Sequence, residues 1–296
     1  MKKKRISVAW RLSVPSLLLI LTVTVFPIIY TGYISLTNMN LYHWNNYHII
    51  GFGNYIKALF SVESGFPAAV LTTIVWTAVN MALQIVLGFI IALGLNAPGL
   101  KAGRVYKTLL MFPWAMPAYV SILIWRTGIY NPQFGLANKF LRMAGVGSIN
   151  FLSRNVPAFF SCTALNLWMA LPFMIVMFDG ALQSIDRSYY ESAMMDGAGF
   201  MTKTLRITVP LVRPVMAPAV IMTTFTTFKQ FDIVYLLTQQ KGSLTGATLQ
   251  TIITYAHENA FVTNNYGLSS AVSILIFVLI IIISLYVNRG LKEEAG

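Results

Sequence analysis

Three polar side chains, Thr223, Thr227 and Gln230, recur within an otherwise apolar segment at 210–230. Their i, i+4, i+7 spacing places them on one face of a helix. Hydroxyl and amide groups donate and accept hydrogen bonds, so this polar stripe predicts a face turned toward a bundle interior or a water-filled path. The alternative is that each threonine hydroxyl only bonds back to a carbonyl of its own helix.

Groups that carry catalysis, metal binding or proton transfer are sparse. The single cysteine, Cys162, excludes an internal disulfide and a multi-thiolate metal site. The histidines at 43, 48 and 257 have no ligand spacing, and no carboxylate lies in the middle of an apolar segment. These gaps argue against proton coupling and against an intramembrane enzyme. The chain also lacks a G-x-x-x-x-G-K-[ST] loop to cradle phosphate, so no cofactor is expected on it.

The composition is typical of a membrane protein. Of the 296 residues, 56% are hydrophobic and 10% are charged, against roughly 25% charged in soluble domains. A sphere of this size could not hide so much apolar surface from water, which excludes a soluble enzyme and a disordered chain. The net charge of +12 is scattered between apolar blocks, which argues against a nucleic-acid partner.

Six apolar segments are long enough to cross a membrane, since a helix needs roughly 20 residues to span about 30 Å of hydrocarbon. They predict an all-α integral membrane protein with six transmembrane helices in a single transmembrane domain, residues 1–296. The first segment is too long for a signal peptide and ends without a small-x-small cleavage site. The six segments are 12–36, 69–95, 108–125, 156–178, 210–230 and 269–288.

The distribution of lysine and arginine sets the expected orientation. With the N-terminus inside, 14 of the 21 basic residues fall in inner segments, although the outer loop 126–154 carries four. We therefore expect both termini in the cytoplasm. Six spans without an internal repeat are few for a complete transporter, so the chain is expected to be part of an assembly.

The inner loop at 183–208 is expected to be structured. Ser188 followed by Glu191 is a candidate capping box, and Gly197 and Gly199 are helix stop signals. This pattern predicts a short helix at 188–196, a turn at 197–199 and a second helix at 200–208. A partly apolar two-helix loop needs a surface to pack against.

This loop resembles the E-A-A…G…I-x-L-P signature of binding-protein-dependent ABC importer permeases, and its flanks resemble the carbohydrate-uptake branch. The sequence departs from the signature at Ser192, which replaces an alanine, and at Val209, which replaces a leucine. The resemblance implies the ABC type I importer permease fold. It also implies a coupling helix that docks in a cleft of a cytoplasmic ATPase, with Glu191 as its charged anchor. The residues assigned to coupling are Glu191, Ser192, Ala193, Asp196, Gly197, Ala198, Ile207 and Pro210. The alternative is that Glu191 caps its own helix and Gly197 ends it.

From about residue 105 onward the chain is similar to maltose-type permeases, whose intramembrane sugar contacts lie in three stretches. Aromatic rings can stack on the apolar faces of a pyranose, while hydroxyl and amide groups bond its hydroxyls. Departures from the maltose pattern, such as Ala170 for glycine, indicate that the substrate differs. The residues assigned to the substrate path are Trp114, Trp168, Met169, Ala170, Phe173, Thr223, Thr226, Thr227 and Gln230.

The resemblance implies a non-enzymatic permease subunit of an ATP-driven sugar importer in the bacterial cytoplasmic membrane, with an oligosaccharide as the expected substrate. Its expected partners are a second, homologous permease subunit, two copies of a cytoplasmic ATPase that binds ATP and magnesium, and an extracytoplasmic sugar-binding protein. Besides these proteins, it is expected to contact the sugar and the lipid bilayer but no nucleic acid.

An ion-gradient-driven carrier of small solutes is the alternative function, and it predicts acidic or histidine residues in the middle of spans. Lys229 and Asp232, three residues apart at the outer end of the fifth span, are expected to form a modest ion pair rather than an ion pathway. Asp179, at the inner end of the fourth span, is expected at the membrane interface.

Overall fold

Helices account for nearly all of the regular structure. The computed structural model describes residues 2–61, 65–97, 99–238 and 249–295. Within those ranges the non-helical pairing is an isolated antiparallel bridge between Thr37 and Ile49. This architecture confirms the predicted all-α class.

Fifteen α-helices are present in the described ranges, and three π-helical turns continue some of them. The helices are α1 Lys2–Ile20, α2 Phe26–Ser35, α3 Gly53–Phe60, α4 Phe66–Leu95, α5 Gly103–Leu110, α6 Phe112–Ala115, α7 Ala118–Ile124, α8 Leu136–Met143, α9 Asn155–Gln183, α10 Arg187–Met195, α11 Phe200–Lys203, α12 Val209–Phe228, α13 Asp232–Thr238, α14 Ile252–Phe261 and α15 Tyr266–Ala295. The π-helical turns are Leu21–Val25, Trp125–Ile129 and Thr204–Thr208.

Five helical runs in the described ranges are long and apolar enough to cross a membrane, and a bent helix pair is a sixth candidate. Each of them overlaps one of the six predicted segments. The five runs are Trp10–Ser35, Phe66–Leu95, Asn155–Gln183, Phe200–Thr238 and Tyr266–Leu285.

The segment predicted as a straight third span, 108–125, is broken. Gly103–Ala115 and Ala118–Ile129 meet at 91°. Met116 has extended backbone angles (φ −80°, ψ 139°) because the ring of Pro117 disfavours the helical conformation in the residue before it. The proline is visible in the sequence, but the 91° angle between the two helical halves depends on the residues that each half packs against.

The second helix of the inner loop, predicted at 200–208, does not end before the fifth span. The helix that begins at Phe200 passes through the π-helical turn Thr204–Thr208 directly into α12. Pro210, the second residue of α12, lacks a backbone N–H, and it directly follows the π-helical turn, where the regular hydrogen-bond ladder of the helix is already interrupted. One continuous helical run therefore connects the loop at 183–208 to the fifth candidate span.

One compact unit comprises Met1–Ala69 and Ile252–Gly296. Its centre is a junction of helix ends. The amide of Asn54, near the start of α3, donates to the carbonyls of Ser35 (2.9 Å) and Thr37 (2.7 Å) just where α2 ends. Carbonyls at a helix C-terminus have no partner within the helix, so this amide supplies one. The backbone N–H of Gly267, at the start of α15, donates to Met39 at 2.8 Å.

In the other unit, Val70–Thr251, buried side chains of α4, α9 and α12 pack into one hydrophobic cluster. A Cβ added at Gly88 of α4 would lie 3.1 Å from Met174 of α9, so the glycine allows these two helices to pack closely. The indole N–H of Trp76 on α4 donates to the carbonyl of Thr227 on α12 at 3.2 Å. The three helices are thereby held as one bundle.

A second polar stripe, not anticipated from the sequence, runs along α4. Thr73, Thr77, Asn80 and Gln84 are all buried, and their spacing of four, three and four residues places them on one helix face. The side chain of Asn80 accepts a hydrogen bond from Asn166 of α9 at 2.7 Å. Among the described residues, neither polar atom of the Gln84 amide has a hydrogen-bond partner, although this residue is fully buried.

We expect the substitution Gln84→Met to stabilise the protein. A buried amide without partners carries a desolvation cost of about 1–3 kcal/mol, which an apolar side chain of similar size removes. The unfolding midpoint of the purified protein in detergent should therefore rise. Asn80→Leu, one helical turn away, is the matched control and should lower the midpoint, because it leaves the amide of Asn166 without its acceptor. A lower midpoint for Gln84→Met would contradict the interpretation.

Candidate functional site

The inner-loop helix α10, Arg187–Met195, begins at a residue that sequence reasoning missed. The carboxylate of Asp186 accepts a hydrogen bond from the backbone N–H of Ser188 at 2.9 Å, which makes Asp186 the N-cap. The same hydrogen bond holds the pKa of Asp186 below its usual value. The predicted capping box of Ser188 and Glu191 is therefore wrong. An aspartate just before the helix was the sequence signal for the correct cap.

The C-terminus of α10 is fixed by a glycine in the left-handed region. Gly197 has φ +76°, and its N–H donates to Met194 at 3.0 Å while that of Ala198 donates to Ala193 at 2.9 Å. This pair of bonds is the Schellman motif, which satisfies carbonyls at the helix end. The loop helix thus has a defined end at each side.

We expect Gly197→Ala to loosen the loop helix. A Cβ in the left-handed conformation costs about 1–2 kcal/mol, and amide hydrogens of α10 should exchange faster by roughly tenfold as the Schellman motif opens. Gly199→Ala is the matched control, since Gly199 has extended angles (φ −72°, ψ 171°) and no atom would contact the added Cβ. Equal exchange rates in the two variants would contradict the role given to Gly197.

A side-chain hydrogen bond ties the loop helix to the long helix that follows it. The hydroxyl groups of Tyr190 on α10 and Thr208 in the π-helical turn lie 2.9 Å apart. Thr208 is buried and also donates to the carbonyl of Lys203 at 3.3 Å. Because the two residues are 18 positions apart, no local sequence pattern indicated this pair.

The residues assigned to coupling form a mostly exposed surface on and beside α10. Glu191, Ser192, Asp196, Gly197 and Pro210 are exposed, whereas Ala193, Ala198 and Ile207 are half-buried. Among the described residues none forms a hydrogen bond or ion pair with the Glu191 carboxylate. The alternative that Glu191 only caps its own helix therefore lacks a contact to support it.

Several large apolar side chains close to Glu191 in the sequence are also exposed. Tyr189, Met194 and Met195 on α10 are exposed, Met195 by 90%, as are Phe200 and Met201 at the start of α11. Exposed apolar side chains next to one another on a structured loop are typical of a protein-binding surface. We call this set, with Glu191, the docking surface.

The residues assigned to the substrate path differ in exposure. Trp114 (57% exposed) and Thr226 lie on the surface of the unit, while Thr223 and Thr227 are buried. Trp168, Met169, Ala170, Phe173 and Gln230 are half-buried. The ring of Trp168 lies 5.7 Å from that of Trp125, which places it within an aromatic cluster.

The polar stripe of α12 is only partly as predicted. Thr223 and Thr227 share a buried face, but Gln230 lies beyond the end of the helix at Phe228. The hydroxyl of Thr223 donates to Ala219 at 2.8 Å, and that of Thr226 donates to Thr223 at 2.9 Å. These bonds to carbonyls of the same helix are the contacts that the alternative interpretation predicted for membrane threonines.

The ion pair expected between Lys229 and Asp232 is not formed, although both residues lie in the described part of the chain. Helical spacing of three residues would bring them together only on a continuous helix. The chain leaves the helix between them, because α12 ends at Phe228 and α13 starts at Asp232. Asp232 lies in the first turn of α13, where the positive end of the helix dipole stabilises a carboxylate.

The sequence matches, over residues 84–291, the family described as "Binding-protein-dependent transport system inner membrane component". The trehalose/maltose transport system permease protein MalF of Thermococcus litoralis is 32% identical over 99% of this chain and 97% of its own length. The galactooligosaccharides transport system permease protein GanP of Bacillus subtilis is also 32% identical, over 95% of this chain and 70% of its own length.

A solved structure supports the same fold. A chain of a bacterial ABC transporter that imports the acidic polysaccharide alginate aligns with a TM-score of 0.81 and 21% identity, covering 98% of this chain and 96% of the other. The family match spans well over half of the chain, and it includes α10 and the docking surface. The chain therefore belongs to the family of inner membrane components of binding-protein-dependent transport systems.

Proposed function

We propose that this chain is the permease subunit of an ATP-driven importer of oligosaccharides, which forms half of a translocation path and couples it to a cytoplasmic ATPase. The observation that carries the proposal is the docking surface: a capped helix that presents Glu191 among exposed methionine and aromatic side chains. The sugar substrates named for the 32%-identical relatives support the substrate class.

In this proposal the chain performs no reaction of its own. ATP and magnesium bind to two copies of a partner ATPase, whose closure displaces α10. A capped helix transmits such a displacement, whereas a flexible loop would absorb it. The long helix beginning at Phe200, held to α10 through Tyr190 and Thr208, carries the movement into the membrane.

The path itself needs a second permease subunit, for which we propose a different homologous chain. Trp114 and Thr226 are exposed on this subunit and would line the path, and the half-buried Trp168 and Phe173 of α9 would contribute to its wall. The buried Thr223 and Thr227 would position the helix rather than contact the sugar in this conformation. An extracytoplasmic binding protein would deliver the sugar on the opposite side of the membrane from α10.

The proposed topology places both termini and α10 in the cytoplasm, in a bacterial cytoplasmic membrane. Arg187 is the first residue of α10, and Lys203, Arg206 and Arg213 follow the helix, as expected for a segment that stays inside. Single cysteines placed in α10 and in the loop before α9, labelled with a membrane-impermeant maleimide, test this orientation.

Reconstitution with its partner permease, ATPase and binding protein tests the function. Trehalose, maltose and galactooligosaccharides, each with the binding protein, should be offered separately to proteoliposomes. We expect at least one of them to stimulate ATP hydrolysis and to accumulate inside. Accumulation that ceases on adding an ionophore but persists without ATP would instead support the ion-gradient-driven carrier.

A further inference from the structure

The carboxylate of Asp179 gathers hydrogen bonds from three side chains. The ammonium group of Lys107 donates to both oxygens at 2.7 Å. The amide of Asn96 donates to one oxygen at 2.7 Å, and the amide of Gln183 donates to the other at 3.0 Å. Charged donors and acceptors with several bonds in fixed directions hold their segments more firmly than a single exposed ion pair.

These donors come from separate helices of one unit. Asn96 directly follows the end of α4, Lys107 lies in α5, and Gln183 is the last residue of α9. The side chain of Asp179 is 16% exposed and that of Lys107 is 32% exposed. Water screens such a half-buried pair less than a pair on the open surface. We call these four residues the Asp179 cluster.

The cluster lies at the end of α9 that leads to the loop helix. Only residues 184–186 separate the end of α9 from the start of α10. The first of them, Ser184, is still bonded to α9, since its hydroxyl donates to Ala181 at 2.7 Å. A displacement of α10 must therefore move the end of α9, and with it any segment bonded to Asp179.

We propose that Asp179 and Lys107 are positioning residues that transmit the movement of α10 to α4 and α5. This inference rests on the proposed function, because it starts from the movement that a partner ATPase would impose on α10. The long helix beginning at Phe200 is one route from the docking surface into the membrane, and the Asp179 cluster is a second. Through α5 the second route reaches α6, where Trp114 lies, and the break in the third span at Pro117.

The alternative is that the cluster only holds the fold together. A structural role would lower the amount of assembled complex but not the number of sugars moved for each ATP that is hydrolysed. That ratio in proteoliposomes therefore distinguishes the two roles.

Lys107→Met and Asp179→Asn should each lower the sugar-to-ATP ratio by at least about tenfold, within the range that couplings between two sites span. The exchanged pair, Lys107→Asp with Asp179→Lys, should restore at least half of the wild-type ratio. Lys107→Arg keeps the pair and should also stay near wild type, which provides a second measurement if the exchanged pair does not assemble. Arg104→Gln, an exposed cation one turn earlier on α5, is the matched control and should leave the ratio unchanged.

An unchanged ratio in Lys107→Met and Asp179→Asn would overturn the inference, as would a tenfold loss in Lys107→Arg. The wild-type complex provides the separate check. If it shows no sugar-stimulated ATP hydrolysis, the proposed function fails, whereas normal stimulation with unaffected variants refutes only the role of the cluster.

Discussion

Replacing Glu191 with alanine should nearly abolish sugar uptake. The carboxylate is exposed on the docking surface and has no bonding partner among the described residues of this chain. If it forms a desolvated charge pair with a basic side chain of the ATPase, its removal weakens docking by at least about 30-fold, because the partner charge stays buried without a counterion. Uptake into proteoliposomes and co-purification of the ATPase should fall together.

Two further variants separate charge from shape at this position. Glu191→Gln keeps the size and the hydrogen-bonding oxygen, and we expect it to lose less than alanine does, since a neutral amide can still bond to a cation. Asp232→Asn removes an exposed carboxylate elsewhere in the same unit and should behave as wild type. Normal uptake by Glu191→Ala, with the ATPase still bound, would leave the docking role without support.

Replacing Gly267 with alanine should prevent stable folding of the unit that contains α2, α3 and α15. A Cβ at this position would collide with the backbone carbonyl oxygen of Thr37 and lie 3.0 Å from the amide of Asn54. Neither neighbour can give way easily, because Asn54 bonds the Thr37 carbonyl at 2.7 Å and Gly267 bonds Met39 at 2.8 Å. We expect a cost of about 3 kcal/mol or more, at the upper end for overpacked sites.

The measurement is the fraction of monodisperse complex after heating in detergent, followed by size-exclusion chromatography. Gly32→Ala is the matched control in the same unit, since an added Cβ there would meet no atom within 4 Å. Its helical position in α2 should make alanine neutral or slightly stabilising. Equal heat resistance of the two variants would contradict the prediction, because it would show that Thr37 and Asn54 can move aside for a Cβ at Gly267.

The two largest effects have different physical origins. The Glu191 prediction concerns a surface that would contact another protein. The Glu191 variants should therefore fold normally and resist heating as well as the wild type. The Gly267 prediction depends on steric contact inside the chain and should appear before any partner is added. Comparing heat resistance with uptake therefore separates loss of coupling from loss of folding.

Local features of this protein were predictable because their causes are local. Long apolar runs indicated the spans, since a membrane helix needs only enough consecutive apolar residues. Gly197 and Gly199 indicated where a short helix stops, and Gly197, with φ +76°, does end α10. The capping residue was misassigned by two positions, because both Ser188 and Asp186 are good caps and the sequence alone does not rank them.

What only the tertiary structure decided are contacts between residues far apart in the chain. Asp179 could be placed near the membrane surface from the sequence, but its bonds to Asn96 and Lys107 span 83 and 72 positions. The burial of Gln84 and the steric clash that a Cβ at Gly267 would cause also depend on how separate helices pack, which the sequence does not show. A membrane-spanning helix satisfies its backbone hydrogen bonds within its own segment, whereas the surface it covers and the side-chain bonds it makes to other helices are fixed only when those helices pack against it.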